Sequence, residues 1–194
     1  NAFRCSVDLL EAAPLLADRV VEQAGGQPVS IVSPDFGGAK RAQRVQELVA
    51  ARLGAPVDFA ILEKRRDNGE VTGDLIIGPV TGRHAVVVDD LISAGTTILR
   101  AVQACRAAGA LSVTAFATHG VFAPGAERLL GPDGPDLLYV TDTLLPTRLA
   151  PPPGGAAKLV VLPASGLFAE ALRRIGAGES VVALREMERR PPAR

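Results

Sequence analysis

Hydrophobic and polar positions alternate along the chain in two rhythms. Short runs rich in valine, isoleucine and leucine are separated by stretches in which apolar residues recur every three or four positions. The first rhythm predicts buried strands and the second predicts helices with one apolar face; their alternation is that of βαβ units on a mostly parallel sheet. Strands are predicted over 28–35, 57–62, 74–78, 84–90, 112–120, 137–142 and 158–163. Helices are predicted over 39–54, with Val45, Leu48, Val49 and Leu53 on the apolar face, over 96–110 with Gly109 as terminator, and over 169–176. The expected fold is α/β, a mostly parallel twisted sheet flanked by helices.

Breaks in the pattern mark the loops. KRRDNGEVTG (64–73) is polar and contains Asn-Gly, so it reads as an exposed loop of the kind that carries function over a rigid sheet. APPPGG (150–155) reads as a connector, stiff and then flexible, and 187–194 as a flexible tail. The sequence begins at Asn1 rather than Met and is read as a fragment or a processed product.

Charge changes the picture by exclusion. The 21 basic and 21 acidic side chains cancel among 194 residues, so nothing advertises nucleic acid or an anionic membrane as partner. The two cysteines, Cys5 and Cys105, lack metal-ligand or disulfide-framework spacing, which suits a reducing compartment. Cys105 falls on the apolar side of its helix and is expected in the core. No run is long and apolar enough to span a bilayer, and a cytoplasmic location is expected.

One stretch carries chemistry. In VVVDDLISAGTT (86–97) a buried strand runs into two acids, a small uncharged turn and a helix start. Ligands of open parallel sheets sit beyond the carboxyl ends of the strands, where the next helix presents free N–H groups. The turn and the helix start therefore read as a phosphate cradle, with Thr96 and Thr97 available to cap the helix and to hold phosphate oxygens. Carboxylates repel phosphate, so Asp89 and Asp90 suit another part of the ligand, sugar hydroxyls or a Mg²⁺ ion. A lone Asp before a helix is commonly an N-cap; the combination is far more specific.

VVVDDLISAGTT resembles the phosphoribosyl diphosphate (PRPP) binding loop of type I phosphoribosyltransferase-fold proteins. SPDFGGAKRA (33–42), LEKRRD (62–67), ATHGVF (117–122), VTDTLLP (140–146) and LPASGLFAEALRRI (162–175) follow in the order and rough spacing of the second half of the ribose-phosphate pyrophosphokinase family. The resemblance runs over most of residues 7–186. It implies that residues 1–25 are a linker and leading helix from an N-terminal domain outside this chain. It also implies that 26–186 form a phosphoribosyltransferase-like domain, with 187–194 as the tail.

The implied activity is pyrophosphoryl transfer from Mg-ATP to the 1-hydroxyl of ribose 5-phosphate, giving PRPP and AMP. The resemblance gives the 5-phosphate to Ser93, Ala94, Gly95, Thr96 and Thr97, and the ribose hydroxyls and Mg²⁺ to Asp89 and Asp90, with Asp35 near the metal. Gly37 and Gly38 let backbone approach closely. Lys64 and Arg66 match a catalytic loop whose cations clamp the polyphosphate, as transfer of this kind requires. His119, in the ATHG position, is read as structural, and His84 is given no role.

The chain also departs from the family. Ser93 stands where many members carry an acid, and no proline follows Arg65 and Arg66; the resemblance implies an upstream half, ahead of Asn1, that supplies the adenine pocket and a metal-linked histidine. The fragment alone is expected to be inactive. The family implies a homo-oligomer. Two other readings share the cradle: a phosphoribosyltransferase consuming PRPP, and a noncatalytic regulatory subunit associated with the synthetase.

Overall fold

The computed structural model describes residue 4 and residues 7–67, 70–144, 149 and 158–186. The connector at 150–155, the tail at 187–194 and the Asn68-Gly69 pair lie outside the described residues, as does part of VTDTLLP. The elements are α1 (Ala13–Ala24), β1 (Val29–Ser33), α2 (Ala39–Leu53), β2 (Asp58–Asp67), β3 (Glu70–Ile77), β4 (His84–Ile92), α3 (Thr96–Ala107), β5 (Ser112–Gly120), β6 (Leu137–Thr141), β7 (Leu159–Leu162) and α4 (Ser165–Gly176). The strands form one sheet in the order β3-β2-β1-β4-β5-β6-β7, and every neighbouring pair is parallel except β2–β3. The α/β expectation holds.

Alternation along the strands divides the core into two layers. On one face Val32, Leu62, Val87, Val113 and Val140 pack with Ile98, Leu99 and Val102 of α3. On the other, Ile31, Val86, Val88 and Phe116 meet Leu16 and Val20 of α1 and Val45 and Val49 of α2. Each such side chain contributes roughly 1.5–3 kcal/mol by leaving water. α1 is tied to the sheet by more than apolar contact. Phe116 and Tyr139 stack with ring centroids 4.5 Å apart, the Arg19 guanidinium lies 5.3 Å from the Tyr139 ring centre, and Gln23 donates to the Tyr139 hydroxyl. Cys105 is fully buried against α3's neighbours, and burial pushes its thiol up to about 12. Among the described residues no helix is long and apolar enough to cross a membrane.

Two boundaries differ from expectation. Residues 64–67 and 70–73 are not a free loop: β2 runs to Asp67 and β3 starts at Glu70, and the two pair antiparallel as a hairpin with a shift of register between Arg65 and Arg66. Backbone pairing needs no apolar side chain, and charge on an edge strand discourages pairing with a second sheet, so a polar sequence extends the strands where periodicity alone ends them. α4 begins at Ser165 rather than 169, directly after Pro163 and Ala164.

Candidate functional site

The carboxyl ends of β1 and β4 lie side by side at the centre of the sheet. After β1 the chain turns through Pro34 to Gly38 into α2. Asp35 folds back on this turn, its Oδ1 accepting the Gly38 N–H at 2.9 Å, while the Ser33 hydroxyl donates to the Asp35 carbonyl at 2.6 Å. A Cβ on Gly38 would stand 3.1 Å from Ser33 Oγ, 3.3 Å from Arg41 Nη1 and 3.6 Å from Asp35 Oδ1. A side chain there would crowd Ser33 and Arg41, which would have to give by a few tenths of an ångström.

Arg41 occupies the middle of the site. Its Nη1 donates to Asp89 Oδ1 at 3.2 Å and its Nη2 to Asp90 Oδ2 at 2.6 Å. The two acids are thus bridged by one guanidinium, which offsets their mutual repulsion. They differ in setting: the Asp89 side chain is 16% exposed and that of Asp90 is 58% exposed. Burial pushes the Asp89 carboxyl up from an ordinary 3.8 to about 6. The neighbouring Asp90 N–H opposes this, the Asp90 carboxylate adds to it, and Arg41 opposes it.

A raised acid makes a definite contribution to stability. Between about 4 and 6 the native state binds more protons at Asp89 than the unfolded chain does, so this residue's contribution to stability falls as pH rises through that window. Asp89→Asn is expected to gain stability relative to the parent chain between pH 4.5 and pH 7.5. Urea unfolding at both pH values measures it; a difference that does not move with pH overturns the account.

Beyond the acids, β4 runs on to Ile92, Ser93 to Gly95 form the turn, and Thr96 and Thr97 open α3. Gly95 has φ +78 and is the N-cap, and no side chain caps this helix. Thr96 and Thr97 therefore do not cap it, contrary to expectation, because they already stand in the first helical turn, past the position from which a hydroxyl reaches back to the free amides. Those amides keep no side-chain partner, the condition for receiving an anion. A Cβ at Gly95 would come within 2.7 Å of Leu129 Cδ1. The turn is braced from behind by the end of ATHGVF: Val121 and Phe122 N–H donate to the Ile92 carbonyl at 3.0 Å, and Ala123 N–H to the Ser93 carbonyl at 3.2 Å. Phe122 takes the left-handed φ of +50, which costs about 1–3 kcal/mol for a non-glycine residue.

Two clefts meet at the acid pair. One of about 250 Å³ is lined by Asp89 and by the turn from Leu91 to Ile98. The other, about 410 Å³, is lined by Asp90, Lys40, Arg41, Arg44 and His119, with apolar side chains from the start of α1. His119 Nδ1 is 2.8 Å from the Thr143 hydroxyl, which bonds the Thr118 carbonyl. For Lys64 and Arg66 the backbone alone is described, both on β2, the strand beside the edge strand β3.

The structure thus brings Asp35, Asp89, Asp90 and Ser93 to Thr97 to neighbouring strand ends. Among the described residues no three acidic, histidine or cysteine side chains form a group able to hold a metal by themselves. Sequence reasoning missed Arg41. The available signal was its place three residues after Gly38, in the first turn of a helix that follows an acid and starts beside a strand ending in two more.

An open, mostly parallel sheet, with an acid pair near the carboxyl end of its central strand and an uncapped helix start beyond it, defines an α/β protein of the type I phosphoribosyltransferase-like class. Residues 64–185 match the family described as the phosphoribosyl synthetase-associated domain, and the chain belongs to that family. It is 38% identical over 183 residues to a ribose-phosphate pyrophosphokinase of Pasteurella multocida, covering 94% of this chain and 56% of that protein. The corresponding protein of Granulibacter bethesdensis is 37% identical with the same coverage. The crystal structure of phosphoribosylpyrophosphate synthetase from Mycobacterium smegmatis superposes with a TM-score of 0.73 at 28% identity, covering 91% of this chain and 54% of that one. The chain spans about half the length of the relatives it matches.

Proposed function

We propose that this chain is the sugar-phosphate half of a ribose-phosphate diphosphokinase, which transfers pyrophosphate from Mg-ATP to the 1-hydroxyl of ribose 5-phosphate. The observation that carries the reading is the pairing of Asp89 and Asp90 with the uncapped start of α3. A ligand that fits must present an anion to one and hydroxyls or a cation to the other, and ribose 5-phosphate does both. The names of the relatives supply the reaction. In it, the 1-hydroxyl oxygen attacks the β-phosphorus, the bond to the bridging oxygen on the AMP side breaks, AMP leaves, and the hydroxyl proton passes to solvent.

Within this reading the amides from Ser93 to Thr97 hold the 5-phosphate and fix the ribose. Asp89 and Asp90 orient its ring hydroxyls. The donor set fits Mg²⁺, a hard cation bound through one or two carboxylates and completed by substrate oxygens and water. Asp89 and Asp90 would hold it, with Asp35 nearby, and it would neutralise charge on the transferring group. Lys64 and Arg66 clamp the polyphosphate from the β2–β3 hairpin. Residues 26–186 act as the phosphoribosyl-binding domain, 1–25 lead in from a domain that completes the ATP site, and 187–194 form a tail. The working protein is a cytoplasmic homo-oligomer, and this segment alone is inactive.

The test is ³¹P NMR of the protein together with the segment preceding Asn1, supplied with ribose 5-phosphate and Mg-ATP. Formation of AMP and PRPP supports the reading. Intact ATP in the presence of both substrates overturns it. Consumption of added PRPP with a purine or pyrimidine base would then assign a transferase.

A further inference from the structure

The opposite end of the sheet holds a cavity that the proposed reaction does not use. About 250 Å³ in volume, it lies between the second half of α1 and the residues that open β1, β4, β5 and β6. His84 begins β4 and Asp90 stands six residues further on, so the rise of a strand puts the cavity about 20 Å from the acid pair. Val20 and Ala24 of α1, with Val29, Val86 and Leu137 of the sheet, supply its apolar walls.

The rest of the lining is polar. On the face of the sheet that α1 and α2 cover, Val29, Ile31, Val86 and Val88 are apolar, yet the same alternation brings His84, Ser112 and Thr114 to the cavity. His84 stands opposite Ser112 in the register, and its Nδ1 is 2.5 Å from the Ser112 hydroxyl. Gln23 donates from its amide to the Tyr139 hydroxyl. Asp136, the one acid in the lining, has both oxygens engaged: Oδ2 accepts the Val113 N–H at 2.8 Å and Oδ1 accepts from Arg106 at 2.9 Å. Among the described residues this leaves three groups without a bonded partner: the Thr114 hydroxyl, the second ring nitrogen of His84 and the side-chain carbonyl of Gln23.

Those groups define what fits. No lysine or arginine lines the cavity, so a phosphate or carboxylate meets no resident cation, and an incoming cation meets a carboxylate already taken. A neutral molecule whose edge carries both a donor and an acceptor satisfies the hydroxyl, the amide oxygen and the ring nitrogen together. The volume is below that of sites for drug-sized ligands, and a space between a helix and a sheet suits a flat body. We propose that this cavity binds a neutral planar heterocycle of nucleobase size, its ring against the apolar walls and its polar edge on Thr114, His84 and Gln23. The proposal does not rest on the diphosphokinase reading, whose site is at the other end of the strands.

Adenine is the probe. Equilibrium dialysis of radiolabelled adenine is run on the protein together with the segment preceding Asn1. Excess AMP fills any site that takes the nucleotide, and circular dichroism verifies the folding of each variant. Saturable uptake is expected in the parent protein. Thr114→Val removes the hydroxyl at nearly constant shape and is expected to raise Kd about threefold to tenfold, the loss of one neutral hydrogen bond. Ala24→Leu fills the space and is expected to abolish uptake. Absence of saturable uptake at millimolar adenine overturns the proposal, as does uptake that both variants leave unchanged. Uptake lost in Ala24→Leu but undiminished in Thr114→Val overturns the polar edge and with it the ligand class. Displacement of adenine by inorganic phosphate would make the cavity an anion site and likewise overturn it. A protein that forms no PRPP yet takes up adenine in the expected pattern defeats the diphosphokinase reading and leaves this one standing.

Discussion

Lys64→Ala, made in the protein together with the segment preceding Asn1, is expected to lower kcat about 10²–10³-fold, the loss that follows removal of one preorganised charge stabilising a transition state. Binding of ribose 5-phosphate should change little. The reason lies in where the residues sit. The proposed sugar-phosphate cradle lies at the end of β4 and the start of α3, whereas Lys64 comes from β2, on the far side of β1 in the sheet. Under the proposed reaction a cation on that strand is expected to act on the donor's phosphates, where negative charge shifts during transfer, and to contribute little to holding the sugar. Initial rates together with calorimetry of ribose 5-phosphate binding separate the two effects. A variant with normal turnover and weakened sugar binding would place Lys64 in the cradle instead.

The second large effect is expected at Asp90. Asp90→Asn removes one of two carboxylates at the strand end and should weaken Mg²⁺-dependent binding of ribose 5-phosphate about tenfold to a hundredfold, the cost of losing a charged hydrogen-bonding partner. Half-exposed at the surface, Asp90 can be replaced without opening a cavity. Its loss also frees one arm of Arg41, so Arg41→Met is the necessary companion: an equal weakening there would show that Asp90 acts by holding the arginine. Titration with ribose 5-phosphate at several Mg²⁺ concentrations reads the outcome, and a Mg²⁺ dependence identical to the parent's would remove Asp90 from the metal role.

Much of this site was legible because its signals are local. A strand, two acids, a turn and a helix start fall within 86–97, and local rules of periodicity and helix geometry apply to each. The hairpin was not legible in full, because strand pairing across 64–73 depends on a partner strand rather than on apolar side chains. Arg41 escaped for a related reason. It meets Asp89 across 48 residues of sequence and Asp90 across 49, distances over which no periodicity speaks. The turn was expected from Leu91 to Gly95; Ser93 to Gly95 form it, Leu91 and Ile92 continue β4, and the cap was not legible, since only the backbone conformation at Gly95 decides which residue stands outside the first helical turn.

Arg41 has a consequence for how the acid pair meets its ligands. With the guanidinium already paired to both carboxylates, a cation that reaches them trades places with a resident counter-ion rather than filling a vacant seat. The gain on binding is then the difference between two ionic partnerships. Selectivity among incoming cations is set by how well each outcompetes an arginine, and the displaced guanidinium is released beside the acids, ready to meet whatever anion accompanies the newcomer.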